Sequence, residues 1–202
     1  MEDYKTIELS SGRRVGFSYS DTAQSPRDPD YTDCNLTKMV CFHRNYILGD
    51  KHNYDKEDVL SWKELEKLIC KEEDVCVIDP LYLYDHSGIT ISTTPFGCSW
   101  DSGQVGLVYI TKKEIRKIFN VKRISKKLKY KAWEYLAQEV KTYKQYMEGD
   151  VYDVYVRDEN DDIVESCSGY YGNDFDQNGA LEFVHEILTV EENEELKTKL
   201  ND

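Results

Sequence analysis

Two short stretches of this chain hold side chains suited to covalent chemistry. Asp85 and His86 close an apolar run, and Cys98, Asp101 and Ser102 follow in a loop dense in small and turn residues. A thiol or hydroxyl becomes a nucleophile when a base accepts its proton within hydrogen-bond reach and a third group orients that base. The residue types suit a small hydrolase using His86 with Cys98 or Ser102, but spacing alone fixes no such contact. The turn Asp85-His86-Ser87-Gly88 accounts equally well for His86 as a residue satisfying local backbone. No catalytic residue is assigned on this basis.

Metal chemistry has two candidate sites. Asp174-Phe175-Asp176-Gln177-Asn178-Gly179 matches the first six positions of an EF-hand loop, with Leu181 apolar where that loop is apolar. The twelfth position is His185 instead of the bidentate Glu, and the preceding residues have a strand pattern, so a plain Asp/Asn/Gly turn is expected. Cys34, Cys41, His43 and His52 are zinc-ligand types but lack C-x2-C or H-x3-H spacing. No metal and no cofactor is therefore expected. Six Cys without a secretory signal read as reduced thiols.

Charge is the stronger feature. Residues 112–131 carry ten Lys and Arg against Glu114, a net of +9 in a chain whose total is −13, which leaves −22 on the other 182 residues. Residues 148–202 hold seventeen Asp and Glu against Arg157, Lys197 and Lys199, a net of −14. Such segregation steers charged partners.

Each pole has a functional and a bland reading. Lys122, Arg123, Lys126, Lys127 and Lys129 lie where a short helix, a turn and a long helix are expected, an outline able to bind a nucleic acid or signalling nucleotide through phosphate. The bland reading is a solvated face answered by the acidic third. Asp158, Glu159, Asp161 and Asp162 crowd an expected hairpin tip, and Glu191, Glu192, Glu194 and Glu195 lie on an expected terminal helix. A helix rises about 1.5 Å per residue and duplex DNA carries a charge every ~1.7 Å of axis, so rows of carboxylates can imitate a phosphate track. The bland reading of the acids is solubility.

The elements that must position these residues follow from periodicity. Residues 4–10 and 14–20 predict an opening hairpin, 21–35 a loop, and 36–43 a strand. Ser61 with Glu64 is a capping box for a helix ending near Glu73, and 75–85, 88–93 and 104–110 predict strands. Thr111 with Glu114 opens a short helix, and Ser125 opens the longest one, striped by Leu128, Trp133, Leu136, Ala137, Val140 and Tyr143 until Gly149. Two runs, 151–158 and 163–171, predict a second hairpin, and Thr189 with Glu192 caps a terminal helix. The expected fold is α+β, mainly antiparallel sheet with hairpins near both ends and a long central helix packed on it. The expected organisation is one globular domain over 1–202, with two packed halves as the variant.

Hydrophobic residues at 40% and sixteen Tyr exclude a disordered chain. No run of about twenty apolar residues predicts a membrane span, and the start Met1-Glu2-Asp3 has neither a basic nor an apolar region, so a cytoplasmic location is expected. In the loop 94–103 and at the start of the strand after it, Trp100, Asp101 and Gln104 are the residues expected to touch a partner.

Three stretches carry a resemblance: Leu81-Tyr82-Leu83-Tyr84-Asp85-His86-Ser87-Gly88-Ile89, Trp100-Asp101-Ser102-Gly103-Gln104-Val105-Gly106 and Gly149-Asp150-Val151-Tyr152. Together with Met39-Val40-Cys41-Phe42-His43-Arg44, they resemble uncharacterised small acidic proteins of phages and mobile elements of Gram-positive bacteria. The resemblance brings no catalytic residues. It implies a setting in which small acidic proteins counter host defences. The resulting expectation is a non-enzymatic inhibitor that meets the basic groove of a host nucleic-acid-directed defence enzyme through an acidic, nucleic-acid-mimicking surface.

Overall fold

A computed structural model describes residues 3–31, 34–57 and 60–201 of the chain. It divides into two compact units, the first formed by Met1–Gln24 with Gly149–Asp202 and the second by Ser25–Glu148. Unit 1 begins with β1 (Asp3–Glu8) and β2 (Arg14–Tyr19). Unit 2 contributes β3 (Lys38–Cys41), α1 (Trp62–Glu72), β4 (Val75–Asp85), β5 (Ile89–Ser92), β6 (Ser102–Thr111), α2 (Lys112–Phe119) and α3 (Lys126–Met147). The chain then returns to unit 1 for β7 (Val151–Arg157), β8 (Ile163–Tyr171), α4 (Ala180–Ile187) and α5 (Val190–Asn201). The fold is α+β, and every strand pairing among the described residues is antiparallel. Residues 32 and 33 of the expected loop 21–35 lie outside the described residues.

In unit 1 the sheet order is β1-β2-β7-β8. Period-two alternation sends Val15 and Phe17 of β2 and Tyr152, Val154 and Val156 of β7 to one face, where Phe175, Leu181, Val184, Leu188 and Leu196 complete a core. Phe17 and Phe175 stack with ring centroids 4.0 Å apart. On the opposite face Tyr155 lies over Gly16, where an added Cβ would come within 2.0 Å of the ring. Its hydroxyl donates to Asp3 Oδ1 at 3.0 Å. The sequence reading placed only a turn at 174–179. That turn exists, with Asp174 Oδ1 accepting from Gln177 N at 3.2 Å, and it runs into the unforeseen α4. Gly179 at the N-cap has no side chain, so the usual capping pattern is absent. Asn178 Oδ1 instead accepts from Ala180 N at 3.0 Å.

Unit 2 is a sheet of order β3-β6-β4-β5 with a helix on each face. Ala132, Leu136, Val140 and Tyr143 of α3 pack with Met39, Leu81, Val108 and Ile110, and Leu65 and Ile69 of α1 pack with Val40, Leu107 and Tyr109. The buried stripe of α3 therefore runs through Ala132, not Trp133 as the sequence stripe had it. Trp133 stands at the flank, 43% exposed, donating from Nε1 to Asp79 Oδ2 at 2.6 Å. The loop before β3 is fixed by a buried cation. Arg27, only 5% exposed, pairs with Asp50 and, at 3.1 Å, with Glu139, and donates to the carbonyl of Thr37 at 2.9 Å. Glu139 also accepts from Leu36 N at 2.7 Å, so α3 and the loop share one network.

Candidate interaction surfaces

The acidic end of unit 1 is built around the turn joining β1 and β2. Thr189 and Glu192 form a reciprocal capping box at the start of α5: Thr189 Oγ1 accepts from Glu192 N at 3.3 Å, and Glu192 Oε2 accepts from Thr189 N at 2.9 Å. Ser11 Oγ donates to Glu192 at 2.6 Å and Arg13 pairs with it at 3.2 Å. Burial pushes the Glu192 carboxyl up, but the bonds from Ser11 and Thr189 and the charge of Arg13 outweigh this and hold it below its ordinary value. Glu195 accepts from Lys199 at 2.8 Å and from Ser10 N at 2.9 Å, and its carboxyl is drawn down to about 2. On the other side of the turn, Arg14 pairs with Asp161 at 2.7 Å, and a Cβ on Gly12 would lie 3.2 Å from Glu159 Cβ.

The hairpin tip and the helix start, two separate features in the sequence, therefore meet at one end of unit 1. Half of their carboxylates serve the fold. Glu192 is 7% exposed and faces inward, Glu195 holds the turn, and Asp161 is paired with arginine. Asp158 Oδ1 accepts from Asp162 N at 3.0 Å and from Asn160 N at 2.8 Å, closing the tip and lowering its carboxyl. The side chains of Glu159, Asp162, Glu191 and Glu194 are exposed and have no polar partner among the described residues.

The basic segment is only partly answered. Asp74 takes Lys112 at 2.6 Å and Arg116 at 3.1 Å, and these two bonds hold its carboxyl below the ordinary value. Lys131 lies 5.7 Å from the Phe119 ring centroid. Lys122, Arg123, Lys126, Lys127 and Lys129 are exposed and make no ion pair among the described residues. Lys126, Lys127 and Lys129 sit in the first turns of α3, capped by Ser125, with no acidic residue in the first turn. The partial positive charge of a helix N-terminus favours anions there, so this arrangement is locally unfavourable.

Trp100, Asp101 and Gln104 lie in unit 2, along a groove of about 520 Å³ where the ends of β3 and β4 meet the start of β6. Phe42, Trp62, Arg44 and Lys56 share its lining. Trp100 is 94% exposed, on a loop braced at its base. Ser102 Oγ donates to the Cys98 carbonyl, and Asp85 N donates to the Asp101 carbonyl at 2.8 Å. Gln104 Nε2 donates to the Gly106 carbonyl at 3.2 Å.

The hydrolase candidates, His86 in the turn between β4 and β5, Cys98 in the loop before β6 and Ser102 at the start of β6, are not arranged as a nucleophile–base pair. His86 Nδ1 and Cys98 Sγ both approach Asp101 Oδ2, at 3.3 and 3.6 Å, so the acid sits between them. Ser102 is bonded to a backbone carbonyl. Among the described residues no group of three His, Cys, Asp or Glu could hold a metal ion. Cys41, from the zinc candidates, is buried, which together with the Asp50 charge pushes its thiol up to about 12. His52 Nε2 lies 3.1 Å from the Cys41 carbonyl, while His43 stacks on Tyr46 at 4.9 Å.

Comparison with protein-family models, with curated proteins and with solved structures finds no match for this chain. Among the described residues no helix is long and apolar enough to cross a membrane. Sequence reasoning missed Arg44, Phe42, Lys56 and Trp62 as groove residues. Phe42 read as the end of a strand, Arg44 lay just past that strand, Trp62 belonged to an expected helix, and no spacing links them to Trp100.

Proposed function

We propose that this is a non-enzymatic binding protein whose acidic end of unit 1 occupies a basic, nucleic-acid-binding groove on another protein. The observation that carries the reading is the convergence of the 158–162 tip and the start of α5 on the turn between β1 and β2. The internally bonded acids hold that end rigid, and Glu159, Asp162, Glu191 and Glu194 are left to meet the partner. Charge of this kind speeds encounter more than it deepens affinity. The resemblance to small acidic phage and mobile-element proteins makes a host nucleic-acid-directed defence enzyme the expected target, with inhibition as the outcome.

The test is the rate of association with a nucleic-acid-binding target captured from a defence-bearing host lysate. The rate should fall as salt rises, duplex DNA or RNA should compete, and Glu159→Gln/Asp162→Asn/Glu191→Gln/Glu194→Gln should slow association about tenfold or more while melting like the parent. Association as fast as the parent's at every salt concentration sinks the reading.

A second reading rests on the unpaired cations of α3. Tyr130, 62% exposed beside Lys126 and Lys127, adds an aromatic ring to that surface. In this reading the surface binds a phosphate-bearing ligand. Lys126→Glu/Lys127→Glu/Lys129→Glu should then abolish a salt-dependent mobility shift with RNA or DNA, and a parent that produces no shift removes the reading.

A further inference from the structure

We infer that the groove between Trp62 and Trp100 in unit 2 binds a nucleobase carrying a phosphate, met either as a free nucleotide or as the end of a single-stranded nucleic acid. The inference is independent of the acidic end, since every residue it uses lies within Ser25–Glu148. At about 520 Å³ the groove falls in the range of small-ligand sites, about 300–1,000 Å³. Its aromatic walls, Phe42, Trp62 and Trp100, offer flat faces of the kind on which bases stack. A Trp held 94% exposed on a loop braced at 98–102 is poised to cover a ligand.

The polar groups decide which aromatic ligand fits. Both carboxylates on the rim are already occupied by donors: Asp85 accepts from the Tyr46 hydroxyl at 3.3 Å, and Asp101 is approached by His86 and Cys98. Arg44 and Lys56 make no ion pair among the described residues. These hydrogen bonds orient the two carboxylates without cancelling their charge, so the lining balances Arg44 and Lys56 against Asp85 and Asp101, and the two cations are the groups left to meet a phosphate. Gln104 spends its Nε2 on the Gly106 carbonyl, leaving Oε1 to accept from an amine on a base edge. A second hollow of about 380 Å³ shares Trp62 and Gln104 and continues over Tyr82 and Pro80, giving room for a neighbouring base.

Calorimetric titration of the full chain with the four ribonucleoside monophosphates, their nucleosides and single-stranded tetranucleotides tests this. At least one base should bind. Trp100→Ala should weaken it about tenfold or more, since stacking on an exposed ring contributes on that scale. Arg44→Ala should erase the preference for nucleotide over nucleoside. Tighter binding of tetranucleotides than mononucleotides assigns the ligand to single strands, and equal binding assigns it to free nucleotides. Trp133→Phe, outside the groove, should bind like the parent. No binding of either form at millimolar concentration overturns the inference. So does binding that survives both Trp100→Ala and Arg44→Ala, or that is lost only with Lys126→Glu/Lys127→Glu/Lys129→Glu.

Discussion

The two units of this chain use charge in opposite ways. Unit 1 carries 20 Asp and Glu against six Lys and Arg, while unit 2 carries 19 against 20. The near-neutral unit hides its most demanding ion pairs: Arg27 sits with Asp50 and Glu139 between loop and helix, while Lys126, Lys127 and Lys129 in the first turns of α3 make no ion pair among the described residues. The acidic unit keeps most of its charges outside and bonds three carboxylates, Glu192, Glu195 and Asp161, to one turn through Ser10, Ser11, Arg13 and Arg14. Net charge therefore says little about which charges hold a fold together. Geometry separates carboxylates that serve as structure from those left for a partner, and it does so residue by residue within a single acidic run.

The comparison breaks first at Arg27. Arg27→Met leaves two half-buried carboxylates without their cation, and loss of one partner of a buried pair costs about 3–5 kcal/mol. All three Trp lie in unit 2, so urea unfolding followed by Trp fluorescence reports that unit. A midpoint shift under half that cost would show the network to be dispensable.

A smaller loss is expected in unit 1 from Gly16→Ala, which drives a methyl into the Tyr155 ring. Overpacking of this kind costs about 1–3 kcal/mol. Amide exchange in β2 and β7 should speed accordingly, and adding Tyr155→Ala should relieve part of the strain, because the clash is then gone. An unchanged exchange pattern in Gly16→Ala would mean that the ring moves aside freely.

Acid sharpens the contrast most finely. Glu192, Glu195 and Asp158 have folded-state values held below their ordinary values of 4.5, 4.5 and 3.8. Groups lowered in this way stabilise above their unfolded value, and that stability is lost as pH falls from about 4.5 toward the value of about 2 reached by Glu195. Asp79 of unit 2 goes the other way. Burial raises its carboxyl despite the bond from Trp133, so protonation relieves a cost. Between pH 5 and 3 the exchange protection of the turn between β1 and β2 should therefore fall faster than that of β4. Equal loss in both would show that these bonds do not set the acid response.

Much of the local structure was legible because its causes are local. Ser61, Thr111, Ser125 and Thr189 each accept a backbone bond at a helix start, as their spacing from Glu64, Glu114, Leu128 and Glu192 requires. The strand of residues 75–85 and the hairpin of 151–157 with 163–171 follow from apolar and β-branched runs broken by an Asp/Asn turn. The helix α4 was not legible, since its start rests on Gly179 and the preceding Asn178, without the expected side-chain cap. Trp133 was misplaced because a stripe drawn on sequence spacing cannot tell a core position from its neighbour on the flank, where Asp79 supplies a hydrogen bond.

The sequence by itself determined the fold class, the elements other than α4 to within a few residues at their ends, and the segregation of charge, all of which depend on neighbours a few residues apart. Tertiary structure alone decided which charges are spent. Arg27 and Glu139 stand 112 residues apart in the chain, and Ser10 and Glu195 stand 185 apart. No periodicity spans such separations. The same holds for Arg44, Trp62 and Trp100, which become one groove only when strand ends, a helix start and a loop are brought to the same end of a sheet.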